Sequence, residues 1–480
     1  MPDSTPEAAP GTEILNLAQD FPPVAAADWD AAVRADLKGA DYDKKLVWRT
    51  EEGLAVRPYY RREDLAGLES QTQAAPGEFP FVRGSGKAWQ AAEAASFSET
   101  AIRADQWHDA GAHAVQELAW ALAAGVDRLS ERPAGQSVDD AARSIEFVFA
   151  AGSEYFVEIA KFRAARFLWA RAVEAFQPAS PAACLMRLSV RTARLNKSVF
   201  DPYTNLLRAT TEALSAVIGG CDRLQVEAFG FGAHLAENVH HVLREETHLG
   251  EVADPAGGSY YIEMLTDALA QAAWKLFQQI EAAGGYRASV ESGALSKALA
   301  ETRAAREKAV ASRRRTLVGV NNYPDLTEKT SDCVPPAASA SAAPRLAVPF
   351  EKIRQRTARH AEAAGRYPKL LLLTRGDVRM RGARANFVLN FFGCAGFDIE
   401  QSSDYAGTDA NLIVLCSSDA EYLALAREVC PRVLVPVLVA GNPKDQIEAL
   451  KQAGVAGFVH VQSDAVQTLT DWQNRLGFKE

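Results

Sequence analysis

Between residues 100 and 330, short apolar runs alternate with longer stretches whose apolar positions recur at helical spacing. The runs at 100–104, 145–150, 185–190 and 224–228 read as strands. The stretches at 112–129, 154–176 and 204–218 between them read as helices, and further helices are expected at 235–244, 265–281 and 292–313. Alternation of this kind predicts right-handed βαβ units on a parallel sheet. A second alternation begins near residue 367. Strands are expected at 370–373, 412–416, 433–439 and 457–461, and helices at 383–392, 420–429, 444–453 and 464–476. Its spacing fits a five-stranded, doubly wound sheet of the flavodoxin type.

The rest of the chain is punctuation. Residues 1–12 are rich in Ala, Pro and acidic side chains and predict a disordered tail. Residues 13–80 read as an arm. It opens at Phe21-Pro22-Pro23-Val24, has a short helix capped by Asp28 with Trp29, Val33 and Leu37 on one face, then an extended stretch and a Glu52-Gly53 turn. Trp29, Trp48, Tyr59 and Tyr60 give this arm apolar surface that it cannot bury alone. Residues 81–330 form the first βα domain, 331–366 a Ser/Ala/Pro-rich linker, and 367–480 the second domain.

Composition changes this picture little. With 48% hydrophobic and 24% charged residues, the chain has ordinary globular make-up. A net charge of -9 argues against a general nucleic-acid binder. Cys184, Cys221, Cys333, Cys394, Cys416 and Cys430 form no CxxC pair and no zinc spacing, which suggests reduced thiols. No basic n-region precedes an apolar stretch, and no run approaches the roughly 18 apolar residues of a membrane span. These features predict a cytoplasmic chain.

Several long strings are more specific. They are Tyr155-Phe156-Val157-Glu158-Ile159-Ala160-Lys161-Phe162-Arg163-Ala164-Ala165-Arg166; Asp201-Pro202-Tyr203 with Thr210-Thr211-Glu212-Ala213; and Val252-Ala253-Asp254-Pro255-Ala256-Gly257-Gly258-Ser259-Tyr260-Tyr261-Ile262-Glu263. They resemble the substrate barrel of adenosylcobalamin-dependent acyl-CoA mutases, methylmalonyl-CoA mutase above all. The Trp29 helix and Pro58-Tyr59-Tyr60-Arg61-Arg62-Glu63-Asp64-Leu65 are similar to the small-subunit branch. The resemblance implies a (β/α)8 barrel that holds the acyl-CoA and a C-terminal domain that presents cobalamin. It also implies a partner, the catalytic large subunit, in a heterodimer.

Set beside that pattern, this chain departs at each chemical group. The cobalt-binding loop D-x-H-x-x-G reads here Asp377-x-Arg379-x-x-Gly382. Arginine offers only donors and cannot ligate cobalt. Ser417 follows the next strand roughly as in the family, but the tail-binding Gly-Gly pair is Ala440-Gly441. Without the cofactor, Asp377 and Arg379 would form an ordinary loop ion pair. The catalytic histidine position is Gln106, and His108 two residues on reads as a surface or capping residue. His240 and His241 are adjacent on a helix and read as structural. Arg163 and Arg166 would contact CoA phosphates or sit on an exposed helix face. Only 85–98 separates the barrel entry from the strand leading to Gln106. About four βα units remain of the eight a barrel needs. The fold expected is therefore α/β, an incomplete (β/α)8-type barrel with a cobalamin-binding-like domain.

These losses together predict an accessory, catalytically inactive subunit that carries no cofactor, with adenosylcobalamin on the large subunit. Its open barrel edge would be covered by that partner or by self-association. The alternatives are an active mutase with another cobalamin mode, or an acyl-CoA-binding regulatory protein.

Overall fold

The computed structural model describes residues 24–92, 97–331, 333 and 345–479. The expected tail at 1–12, the Phe21-Pro22-Pro23 stretch and most of the Ser/Ala/Pro run lie outside the described residues. The described residues up to Tyr60 form one compact unit and those from Arg61 onward another.

In the first unit, α1 (Ala26–Asp36) starts ahead of Asp28, with Ala25 at the cap. Asp28 instead sits in the first turn, where its charge meets the positive end of the helix. The short α2 (Tyr42–Leu46) is capped by Asp41, which accepts from the Lys44 amide at 2.9 Å. β1 (Trp48–Arg49) and β2 (Ala55–Val56) make a hairpin. Trp29 packs edge-on against Tyr59 with 5.8 Å between centroids, and the Tyr59 hydroxyl donates to Asp30 at 2.8 Å. Even so, Trp29 and Trp48 stay 51% and 42% exposed.

The second unit opens with α3 (Glu69–Thr72) and holds two sheets. The first contains β3 (Gln90–Ala91), β4 (Ile102–Arg103), β5 (Glu146–Ala151), β6 (Arg187–Thr192) and β7 (Arg223–Gln225). They run parallel in the order β3-β7-β6-β5-β4. The connecting helices are α4 (Ala104–Ala110), α5 (Ala114–Ser130), α6 (Val138–Ser144), α7 (Tyr155–Ala175) and α8 (Pro202–Ile218). After β7 come α9 (Ala233–His241), α10 (Tyr260–Ala282), α11 (Gly285–Glu291) and α12 (Ala294–Ala311). Four strands were expected; β3 is an additional one, too short to show a pattern.

Side chains alternate across this sheet. On one face Phe147 meets Trp169 of α7 at 4.8 Å and Phe149 meets Phe162 at 6.4 Å. The other face is polar. One row across all five strands reads Gln90, Arg223, Ser189, Val148 and Arg103. Glu146 below it accepts from Ser189 at 2.6 Å, from Arg223 at 3.2 Å and from the Ser98 amide at 3.0 Å. Phe97 lies against the guanidinium groups of both Arg103 and Arg223. Phe97 and Ser98 of the chain itself thus lie over part of this polar face.

The second sheet is built on β8 (Lys369–Thr374), β9 (Asp398–Ser402), β10 (Leu412–Cys416), β11 (Val437–Ala440) and β12 (Gly457–Val459), preceded by α13 (Val348–Ala364). All are parallel, in the order β12-β11-β10-β8-β9. Between them run α14 (Val378–Gly393), α15 (Tyr422–Val429) and α16 (Ile447–Gln452), and α17 (Ala465–Arg475) follows. Leu370, Leu372 and Val414 point into one core, Leu371, Leu373 and Ile413 into the other, so helices cover both faces.

Two elements differ from the sequence reading. β9 is a polar edge strand, Asp-Ile-Glu-Gln-Ser, with no apolar run to betray it. The supposed linker 331–366 contains α13, whose Phe350, Ile353, Thr357 and Ala361 are buried. It docks on the loop after β6. The Leu346 amide donates to Leu195 O at 2.9 Å, and the Val199 amide to Glu351 at 2.9 Å. Arg345 clamps Glu351 at 2.6 Å, and Arg354 stacks on Phe200 at 4.0 Å. Leu195, Val310 and Leu317 enter the same apolar core as Leu370 and Phe391.

Candidate functional site

In parallel α/β sheets, ligands bind outside the carboxyl ends of the strands. At that end of the first sheet lies a charge network. Arg191, at the top of β6, pairs with Asp105 at 2.6 Å and also with Asp109 and Glu227. Arg103 binds both oxygens of Asp105, at 2.8 and 2.7 Å, and Arg194 holds Glu227. Asp109 accepts the amides of Arg194 and Leu195 at 2.8 and 3.1 Å. Burial alone would raise the Asp105 carboxyl, but Arg103 and Arg191 hold it below its usual value. The same acids keep the buried Arg191 guanidinium protonated against desolvation.

Deeper in, Lys197 and Glu212 pair at 2.6 Å, fully buried, with Asn196 on the same carboxylate. Burial pulls the lysine down and pushes the glutamate up, so this pair is under desolvation stress. Gln106 is exposed on α4, outside the network. His108 is not the surface or capping residue expected. It is buried, with Nδ1 2.6 Å from Glu117. Glu117 also binds Lys161 at 3.0 Å, and Lys161 pairs with Glu158 at 2.6 Å. His240 is buried too, its ring nitrogen facing the Leu224 carbonyl and the Val226 amide; His241 is exposed.

Arg163 and Arg166 lie neither on an exposed face nor open to phosphate. Both are buried on α7. Arg163 binds Glu263 at 2.7 Å and also Asp254, which Arg83 grips at 2.9 Å. Arg166 donates to the carbonyls of Gly220 and Met186, at 3.0 and 2.8 Å from Nε and Nη1, and pairs with Asp222. The strings at 155–166 and 252–263 are thus two halves of one buried ionic structure.

At the second sheet the strand order reverses between β8 and β10. Asp377 is not half of a loop ion pair with Arg379. It caps α14, accepting from the Met380 amide at 2.7 Å, while Arg379 is exposed on the first turn. Gly382 lies within α14 and faces open space. Sequence reasoning missed three neighbours. Glu421 accepts from the hydroxyls of Ser417 and Ser418, each at 2.6 Å, and from the amides of Ser418 and Asp377 at 3.2 Å. Those hydroxyls, with the two amides, hold its carboxyl down to about 2. Gly376 has φ +78°, and a Cβ there would collide with the Glu421 carboxylate. Arg384 lies over Gly441, its guanidinium carbon 3.2 Å from where a Cβ would stand, and pairs with Asp419 at 3.2 Å. The buried Tyr422 hydroxyl donates to Ala440 O and accepts from the Ser417 amide. A half-buried Glu four residues after a Ser carries no sequence signal of such a role.

The pattern of the methylmalonyl-CoA mutase family matches residues 86–364. The chain is 30% identical to a methylmalonyl-CoA mutase small subunit of Porphyromonas gingivalis, over 97% of its own length and 100% of the relative. The chain belongs to the methylmalonyl-CoA mutase family. It is also 37% identical to the small subunit of Streptomyces virginiae, over 77% of this chain, but spans only 63% of that relative. A Rhizobium meliloti protein named methylmalonyl-CoA mutase is 37% identical over 49% of the chain. The Porphyromonas alignment runs over 621 positions against a chain of 480. This mutase-family chain is therefore a shortened small-subunit-like form.

Mutases of this family use adenosylcobalamin, with a histidine on the cobalt. The residues here do not fit that group. Arg379 supplies no lone pair. The carboxyl ends of β10 and β11 carry Glu421, Arg384 and Tyr422. Among the described residues, no cluster of His, Cys, Asp or Glu is placed to hold a metal, and no helix is long and apolar enough to cross a membrane.

Proposed function

We propose that this chain is an accessory, catalytically inactive subunit of an adenosylcobalamin-dependent acyl-CoA mutase of the methylmalonyl-CoA to succinyl-CoA type. In this reading the first sheet is a partial (β/α)8 barrel, with β3 and β4 as its open edges, and residues 367–480 are a flavodoxin-like domain descended from a cobalamin carrier. Substrate and cofactor sit on a catalytic large subunit in the cytoplasm, and this chain pairs with it.

The observation that carries the reading is the ionic network of Asp105, Asp109, Arg191, Arg194 and Glu227 at the carboxyl ends of β4 to β7. A barrel enzyme keeps that space for its substrate. Here these five side chains, with Arg103 on Asp105 as the third cation, neutralise one another in it. Gln106, exposed and outside this network, is an amide at the position where the resemblance puts the family's catalytic histidine, and general acid–base work needs a titratable group. The half-exposed Trp29 and Trp48 support pairing, since a soluble chain rarely leaves two large rings in water without a partner surface.

Co-expression with the catalytic large subunit tests the pairing. The two are expected to co-purify at a fixed ratio, with mutase activity only in the complex. Failure to co-purify sinks the accessory role. Turnover by the isolated chain sinks the inactivity.

A further inference from the structure

The loss of the cobalt ligand is one substitution, Arg379, on an exposed first turn. We infer that the crevice next to it is sealed by the chain's own side chains, so that restoring a histidine at 379 does not restore cobalamin binding. The inference rests on the reading that this domain carries no cofactor, and adds a physical reason that lies outside the ligand position.

Three contacts make the seal. Glu421 reaches from the loop after β10 to the start of α14. It places a carboxylate at the helix N-terminus, where a phosphate or other anion of a ligand would gain most. Two hydroxyls and two amides are spent on it, and they hold its carboxyl well below the usual carboxylate range. Arg384 covers Gly441. That glycine has φ +150° and would otherwise let a ligand approach the end of β11 closely. Arg384 is fixed from the far side by Asp419. Tyr422, fully buried, ties the ends of β10 and β11 together through Ser417 and Ala440. The switch point between β8 and β10 is where doubly wound sheets admit ligands. Here it is filled by an anion, a cation and a phenol from the same chain. A ligand would have to displace Glu421 from four donors and turn Arg384 away before it met any new contact.

The experiment uses the full chain and absorbance titration with adenosylcobalamin and hydroxocobalamin. Arg379→His alone is expected to give no histidine-bound spectrum. Arg379→His combined with Glu421→Ala and Arg384→Ala is expected to bind at least about tenfold more tightly than the single variant, a difference of about 1.4 kcal/mol. Circular dichroism confirms that each variant is folded. If the triple variant is not, Arg379→His with Glu421→Ser, which keeps a hydroxyl near the four donors, carries the test with the same expectation. Binding by Arg379→His alone overturns the seal. So does the absence of binding by every folded multiple variant. Binding by the unmodified chain would instead sink the accessory reading itself, so the two failures are distinct.

Discussion

A guanidinium with no path to water has to be neutralised where it lies, and Arg163 is the case in point. Its partners Asp254 and Glu263 are as buried as it is. Arg163→Leu leaves two carboxylates desolvated with too few donors, and is expected to cost about 3–5 kcal/mol in urea unfolding. An effect under about 1 kcal/mol, the range of exposed pairs, would mean that the site is wet. Acid should find the same weakness elsewhere. Asp105 and Glu117 both titrate below their usual range, because Arg103 and Arg191, and Lys161 with His108, outweigh burial. A carboxyl depressed in the fold adds stability above its unfolded value and loses it as pH falls through the folded one. The melting temperature should hold from neutrality to about pH 5 and fall below about pH 4, with Asp105→Asn showing a shallower acid slope. Equal slopes would remove Asp105 from the account. Sequence made Arg163 and Arg166 visible as members of a motif, but gave them the wrong surroundings. The partner Asp254 stands 91 residues away, and no local pattern brings it near.

At the scale of elements, the open sheet explains itself. Its edge strands β3 and β4 have two residues each, so few unpaired groups face outward. The face away from the helices is charged and crossed by Phe97 and Ser98. Sequence periodicity showed the long strands and helices because each has at least one apolar face packed into a core. It hid β9, which is polar, and α13, which follows a Ser/Ala/Pro run. α13 holds the loop after β6 through Glu351, which takes the Val199 amide. Glu351→Gln weakens Arg345's clamp and that bond together. Hydrogen exchange at the Val199 amide should speed up by about tenfold, while amides in the middle of β10 keep their rates. Unchanged exchange at Val199 would show that the dock does not depend on this carboxylate.

The molecule as a whole is less divisible than its sequence suggests. Leu195 belongs to the loop of the first sheet and to the core of the second. Leu195→Ala should cost about 2–5 kcal/mol and lower one shared calorimetric transition. Two separate transitions, only one of them moved, would refute a shared core. The Ser/Ala/Pro stretch looks like a seam, a natural place for genes to be cut and rejoined. Leu195 makes it a poor one. A second half acquired there by recombination would arrive with a hole in its core, because the residues that fill it are encoded on the other side of the join. The two halves are therefore expected to have been inherited together, each constraining how far the other can drift.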